Sequence, residues 1–175
     1  MSNQAILWAM LILPWLTLFF MKPENIRRFA PVALFTVATS MLLSETAGTL
    51  ELWVVRENIF PLSSTLPLIL SVNPVVTLWL FNFTYGRLWR YIAVDAVMNL
   101  VFALIVFPWL DTRGIYQDNV TGQSRLFFTT IHGLLLYAFQ MWQEGALVPA
   151  VKKLLAPKIQ PAAVKPYFKK DNDDN

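Results

Sequence analysis

Five long apolar stretches, separated by short polar segments, dominate the hydropathy pattern of the chain. They contain 17, 22, 24, 20 and 23 residues, at positions 5–21, 29–50, 60–83, 91–110 and 126–148. A helix needs about 20 mostly apolar residues to cross roughly 30 Å of hydrocarbon, because it rises about 1.5 Å per residue. The pattern therefore predicts an all-α fold, an integral membrane bundle of five transmembrane helices.

The composition supports this assignment and excludes several other classes of protein. Of the 175 residues, 56% are hydrophobic and 14% are charged, whereas a soluble domain has about 25% charged residues. The mean hydropathy is +0.49. Because the chain has no cysteine, a disulfide scaffold and a thiolate metal site are excluded. We expect one membrane domain over residues 1–151 and a basic, then acidic, cytoplasmic tail over residues 152–175.

Lysine and arginine are distributed unequally between two sets of connecting segments. Eleven lie after the first stretch, after the third stretch and in the C-terminal tail, against three in the remaining segments. Cytoplasmic loops of membrane proteins carry an excess of positive charge. The bias predicts an N-terminus outside and a C-terminus inside, on opposite sides as five crossings require. We expect a multi-pass protein of the plasma membrane, whose first stretch is a retained helix because no basic residue precedes it.

Six polar residues inside the predicted helices form a candidate intramembrane cluster. They are Glu45, Asp95, Asn99, His132, Gln140 and Glu144. An ionisable group within hydrocarbon costs about 2.5–3.5 kcal/mol, so these side chains should face the interior of the bundle. Counted from the predicted membrane boundaries, Glu45 and His132 form an outer layer and the other four residues form an inner layer.

Two interpretations of these layers remain open. The functional interpretation is a path linked to protons or cations, or a pocket for a small polar ligand. The structural interpretation pairs each charge locally: Asp95 with Arg87 or Arg90, Glu144 with Lys152, and His132 with Glu45.

Small residues recur at every fourth position of the second predicted helix, at Thr36, Ser40, Ser44 and Gly48. A face of this kind lets a neighbouring backbone approach closely. We expect it to be a helix-packing face within the bundle, with dimerisation as the alternative.

The third predicted helix contains two prolines within its span, Pro67 and Pro74. Each removes a backbone hydrogen-bond donor, so the sequence predicts a kink or break at Asn73-Pro74. One interpretation is a binding or gating site. The other, which we favour, is an ordinary membrane-helix kink whose free backbone groups are satisfied by Ser71 or Thr77.

No sequence motif for catalysis or cofactor binding is present. The chain lacks the GxxxxGK[ST], GxGxxG and GxSxG patterns, and its single histidine excludes an HxxxH metal pair. We therefore expect no enzymatic activity, no cofactor and no metal ion.

The C-terminal tail carries six lysines and no acid between residues 152 and 170. Each lysine near an anionic membrane surface contributes about 1 kcal/mol of attraction. We expect the tail to contact the lipid surface rather than nucleic acid, through Lys152, Lys153, Lys158, Lys165, Lys169 and Lys170.

Two stretches of the chain are distinctive: residues 18–45, LFFMKPENIRRFAPVALFTVATSMLLSE, and residues 79–91, WLFNFTYGRLWRY. In both, the chain resembles a family of small, uncharacterised multi-pass membrane proteins of endospore-forming Gram-positive bacteria. The resemblance implies a location in the cell membrane and a bundle of about five helices. It implies no activity and assigns no functional residue.

The sequence favours a non-catalytic membrane component that acts through helix packing and a partner, either a second copy of the chain or another membrane protein. The small-residue face and the basic tail support this hypothesis. The alternative is a small proton- or cation-linked carrier, or a membrane sensor, that uses the intramembrane polar cluster.

Overall fold

The computed structural model describes residues 2–59, 67–119 and 122–145. Within these residues the chain forms five helices: α1 (Asn3–Phe20), α2 (Pro23–Thr49), α3 (Leu68–Thr84), α4 (Leu88–Thr112) and α5 (Gly122–Gln143). Two short strands, β1 (Trp53–Val55) and β2 (Tyr116–Asp118), pair in antiparallel fashion. The predicted all-α class is confirmed, with a small sheet that the hydropathy pattern did not predict.

Three of the helices are long and apolar enough to cross a membrane, namely α1, α2 and α4 with 18, 27 and 25 residues. The apolar helix α3 has 17 residues, and α5 has 22 residues with polar side chains along one face. Phe19, Phe20 and Trp89 are 85%, 86% and 82% exposed. Soluble proteins rarely expose large apolar patches, so this surface fits a lipid environment better than water.

Four of the helices begin before the apolar stretches that predicted them. α2 begins at Pro23 rather than at residue 29, since proline suits the first turn of a helix. α4 begins at Leu88 rather than at residue 91. At the start of α1 the side chain of Ser2 accepts a hydrogen bond from the backbone N–H of Ala5. Hydropathy therefore marks the apolar part of these helices and misses the polar residues with which they begin.

Two helices contain a π-helical turn, Leu68–Val72 in α3 and Phe102–Val106 in α4. Each turn comes directly before a residue that precedes proline, in Asn73-Pro74 and in Phe107-Pro108. Proline has no N–H to donate, and the residue before it donates instead over a wider loop, from Asn73 to Leu68 and from Phe107 to Phe102. The break predicted in α3 therefore takes the form of a π turn, and α4 contains a second.

The connections between helices alternate between two ends of the bundle. At one end, which we call the sheet end, Asn3 donates hydrogen bonds to Glu57 and to the carbonyl of Arg113. At the opposite end, which we call the Glu144 end, Arg28 of α2 pairs with Glu144 directly after α5. Consecutive helices therefore run in opposite directions.

Two apolar cores fill the two ends of the bundle. The core towards the Glu144 end includes Phe29, Leu78, Phe81, Tyr91 and Tyr137. The core towards the sheet end includes Leu7, Ile59, Leu68, Leu110 and Ile115. Between these cores, α3 and α4 carry polar residues among apolar ones, and the polar residues belong to the site described next.

Candidate functional site

A layer of polar side chains from four helices lies between the two apolar cores. These side chains surround a cavity of about 160 Å³, which we call the polar cavity. Its polar lining comes from α2 (Thr36), α3 (Asn73, Thr77), α4 (Asp95, Asn99) and α5 (Thr129, His132). The structure thus brings together three of the six residues predicted from the sequence, namely Asp95, Asn99 and His132.

Asp95 is the acidic residue of the polar cavity. Its side chain accepts a hydrogen bond of 3.0 Å from Nδ2 of Asn99, one turn further along α4. The expected ion pair with Arg87 or Arg90 does not form, because the carboxylate points into the bundle, where it contacts α5. The predicted pairing of Asp95 with a basic neighbour is therefore wrong.

Gly133 allows the close contact between α4 and α5. A Cβ atom at this position would lie 2.7 Å from Oδ2 of Asp95, and the hydroxyl of Tyr91 donates to the Gly133 carbonyl at 2.8 Å. The polar and small-residue patterns of the sequence did not indicate Gly133. The available signal was a glycine in the middle of a long helix, which often indicates a packing constraint.

His132 contacts α2 through Thr39, with 2.7 Å between Nε2 and Oγ1. The Thr39 hydroxyl also donates to the carbonyl of Phe35 at 2.8 Å. A hydroxyl has one proton, so Nε2 of His132 is the donor when Thr39 donates to Phe35 and the acceptor when Thr39 donates to His132. The expected hydrogen bond between His132 and Glu45 is not formed, since Glu45 lies on the exposed surface of α2.

The polar residues at the far end of α5 form a separate group, which we call the Glu144 cluster. Arg28 donates to both carboxylate oxygens of Glu144, at 2.6 and 2.8 Å. Gln140 donates to the same carboxylate at 2.9 Å. The guanidinium of Arg28 also lies over the rings of Phe29 and Tyr85. Among the described residues, the Glu144 carboxylate is thus paired with Arg28 and Gln140, whereas the buried Oε1 of Gln140 has no hydrogen-bond partner.

The Glu144 cluster shifts the ionisation of its members. The hydrogen bond from Arg28 lowers the pKa of Glu144 to about 2. Burial, followed by the hydrogen bond to Glu144, raises the pKa of Tyr85 to about 12. The partner expected for Glu144, Lys152, lies outside the described residues. At neutral pH Glu144 is therefore a carboxylate held by Arg28.

The two predicted layers are regrouped by the structure. Asp95 and Asn99 lie with His132 instead of Gln140 and Glu144, and Glu45 makes no side-chain hydrogen bond or ion pair within the described ranges. The predicted depths were counted from the wrong helix ends. α4 begins three residues earlier than predicted and α5 ends at Gln143 instead of residue 148, so Asp95 lies deeper in the bundle and Glu144 lies at its edge.

The small-residue face of α2 packs against α3 over its first half. Thr36 and Ser40 are buried. The Thr36 hydroxyl lies 3.2 Å from that of Thr77, and Asn73 donates to Ser40 at 3.4 Å. Ser44 is half-buried and Gly48 is exposed, with open space where its Cβ would be. The face therefore packs against α3 only as far as Ser40.

A second, larger cavity of about 300 Å³ adjoins the first on the side of the sheet end. We call it the apolar cavity. Both π turns contribute to its wall, through Leu68, Ile69 and Phe102, and α2 contributes Ala47. Asn73, Thr129 and His132 belong to the walls of both cavities.

The remaining predictions concern metal binding and the tail. In the described part of the chain, no three His, Asp or Glu side chains are grouped so that they could hold a metal ion. The six tail lysines lie outside the described residues. Comparison with protein-family models, curated proteins and solved structures gives no match for this chain, and the family resemblance stays a prediction.

Replacement of Gly133 by alanine should destabilise the bundle. The added methyl group would overlap the Asp95 carboxylate, which is the end of a side chain that can shift, so the cost should be about 1 kcal/mol, the low end for overpacking. Gly48→Ala is the matched control, because its Cβ meets nothing within 4 Å and alanine favours a helix by about 0.5–1 kcal/mol. Thermal unfolding in detergent measures both variants. Equal melting temperatures would show that Gly133 does not hold α4 against α5.

The Arg28–Glu144 pair should make stability depend on acid pH. The pKa of Glu144 is lowered from its ordinary 4.5 to about 2 in the folded state, so its contribution is complete above pH 4.5 and is lost as the pH falls towards 2. Arg28 is half-exposed, which limits the contribution to about 1 kcal/mol. In melting curves between pH 7 and 3, Glu144→Gln should lose this part of the dependence, whereas Glu45→Gln should keep it.

Proposed function

We propose that the chain is a multi-pass protein of the plasma membrane with five transmembrane helices, its N-terminus outside and its C-terminus inside. The alternation of the helix ends supports this topology, as does the excess of lysine and arginine in the segments of the Glu144 end. α3 is about 26 Å long at about 1.5 Å per residue, within the range of short spans. α5 contains more polar residues than an ordinary spanning helix, which lowers its hydropathy. Several of them, including His132 and Gln140, are turned towards the other helices.

The proposed function is non-catalytic binding of a proton or small cation in the polar cavity, as a carrier or a membrane sensor. The observation that supports it is the environment of Asp95. Its carboxylate faces the polar cavity, whose described lining residues include no lysine or arginine, whereas Glu144 has Arg28. A negative charge in an apolar bundle is costly unless it is paired, so a positive charge from outside would fit this position.

The arrangement around His132 supports binding more than catalysis. Acyl transfer by a hydroxyl nucleophile needs a histidine placed between that hydroxyl and a carboxylate. In the structure His132 pairs with Thr39, and Asp95 pairs with Asn99. The two groups therefore offer separate polar contacts to a ligand between them.

A second candidate function is interaction with a partner, either a second copy of the chain or another membrane protein. It is favoured by the open space at Gly48, where a neighbouring helix could approach closely. Exposed apolar side chains on the same half of α2, including Met41 and Leu42, would add to such a contact. The lysines of the tail would hold it close to the lipid surface.

The topology can be tested with single cysteines, because the chain has none of its own. Glu51 and Arg113 are exposed at the sheet end, and Lys22 and Arg87 are exposed at the Glu144 end. In intact cells a membrane-impermeant maleimide should label Glu51→Cys and Arg113→Cys. It should label Lys22→Cys and Arg87→Cys only after permeabilisation. Labelling of one residue from each end in intact cells would contradict the proposed topology.

The function can be tested with purified protein in liposomes that contain a pH-sensitive dye, with a potassium gradient and valinomycin as the driving force. A carrier should accelerate proton entry, and Asp95→Asn should reduce the rate about tenfold, the effect of losing about 1.4 kcal/mol of binding. Glu45→Gln is the control, since Glu45 lies outside the polar cavity.

A sensor would bind without transport. Binding is therefore measured separately, as a rise in melting temperature with methylammonium that Asp95→Asn removes and Glu45→Gln keeps. If both variants match the wild-type protein in flux and in melting temperature, the proposed function is wrong and the partner hypothesis is preferred.

A further inference from the structure

The polar and apolar cavities together form one amphipathic pocket. They meet at Asn73, Phe102, Phe107, Thr129 and His132, which line both. On one side of this junction lie Asp95 and Asn99. The wall on the other side is the more apolar of the two and has no acidic side chain. A molecule that filled both cavities would need a polar head and an apolar tail.

The apolar half of the pocket is shaped by both π turns. Leu68 and Ile69 come from the turn in α3, and Phe102 comes from the turn in α4. π-helical turns are rare and occur mostly at functional sites. Two of them contribute to the wall of the same cavity, each followed by its own proline. That two rare turns line the same cavity indicates that the cavity is a regular feature of the fold.

The pocket reaches the exposed surface of the bundle between α2 and α5. Leu43 and Leu50 of α2 line the apolar cavity and are 43% and 63% exposed, and Phe128 of α5 lines it and is 56% exposed. In a membrane this rim would face the acyl chains. The apolar tail of a ligand could therefore enter from the lipid instead of from water.

The charge of the pocket defines the chemistry of the head. The carboxylate of Asp95 is a hydrogen-bond acceptor, and within the described residues its donor is Asn99. Among the described residues that line the two cavities, none is lysine or arginine. A protonated amine would supply both the missing positive charge and the donors that a carboxylate accepts. A carboxylate or phosphate head would be repelled by Asp95.

We infer that the pocket binds a lipid-soluble amine, with its ammonium head at Asp95 and its alkyl tail between the two π turns. This inference rests on the proposed function. It narrows the ligand from any proton or small cation to a cation that also has an apolar tail. The head contacts account for the polar cavity, and the tail accounts for the apolar one.

Fluorescence quenching of Trp53 provides the test, because Trp53 lines the apolar cavity. The probe is undecylammonium brominated at its last two carbons, added to the full chain in nanodiscs. The difference between wild type and Trp53→Phe isolates the signal of this one tryptophan. We expect saturable quenching. Undecanol and undecanoate with the same brominated tail serve as comparison probes and should bind more weakly.

Two pairs of variants separate the head from the tail. Asp95→Asn should raise the half-saturating amine concentration about tenfold or more, since a hydrogen bond between charged groups contributes that much. Asp111→Asn, on the exposed end of α4, should leave this concentration unchanged.

Ala47→Leu fills the apolar cavity and should remove the quenching. Ala38→Leu, on the exposed side of α2, should not. Melting curves without the probe establish folding, and Ser44→Leu replaces Ala47→Leu if the latter does not fold.

The outcomes distinguish this inference from the proposed function. Unsaturable quenching that is equal in Ala47→Leu and Ala38→Leu would indicate partition into the bilayer and would overturn the inference. Tighter binding of the undecanoate probe would overturn it as well. If methylammonium still raises the melting temperature in an Asp95-dependent way, the proposed function survives either result. If neither amine has an Asp95-dependent effect, both proposals are wrong.

Discussion

A carboxylate among apolar side chains is stable only when a positive charge or several donors compensate it. The bundle meets this constraint in different ways at its edge and in its interior. Glu144 lies at the edge, where Arg28 donates to both of its oxygens. Asp95 lies between the two apolar cores and receives a hydrogen bond from Asn99. This difference divides the polar face of α5 into a part that holds the helices together and a part that faces a cavity.

The cavities depend on local departures from regular helix geometry. Gly133 brings the backbone of α5 against the carboxylate of Asp95, which sets one wall of the polar cavity. The two π turns widen α3 and α4 on the way to the sheet end, where the apolar cavity lies. Regular helices with larger side chains at these points would close the space. The site is therefore a property of the backbone as much as of its polar residues.

The helices could be predicted from the sequence because long apolar runs are a strong signal, but their ends could not. Pro23 and Arg28 belong to α2 although they lie outside its apolar stretch. The start of α4 and the end of α5 were likewise misjudged, which misplaced Asp95 and Glu144 in depth. The three-residue strands at Trp53 and Tyr116 are too short for a periodic pattern. Pro74 predicted an irregularity in α3 but not its π-helical form, and Pro108 stands in the same relation to the π turn of α4.

The two apolar cores also bear on whether the cavity belongs to a carrier or to a sensor. A carrier must open its site to each side of the membrane in turn, yet here an apolar core lies between the polar cavity and the Glu144 end. The gap between α2 and α5 opens sideways instead. A sensor needs only a ligand that contacts two conformations differently. Trp53 and Tyr116 line the apolar cavity and also form the sheet, so a ligand there directly contacts an element at the end of the bundle. The geometry favours the sensor.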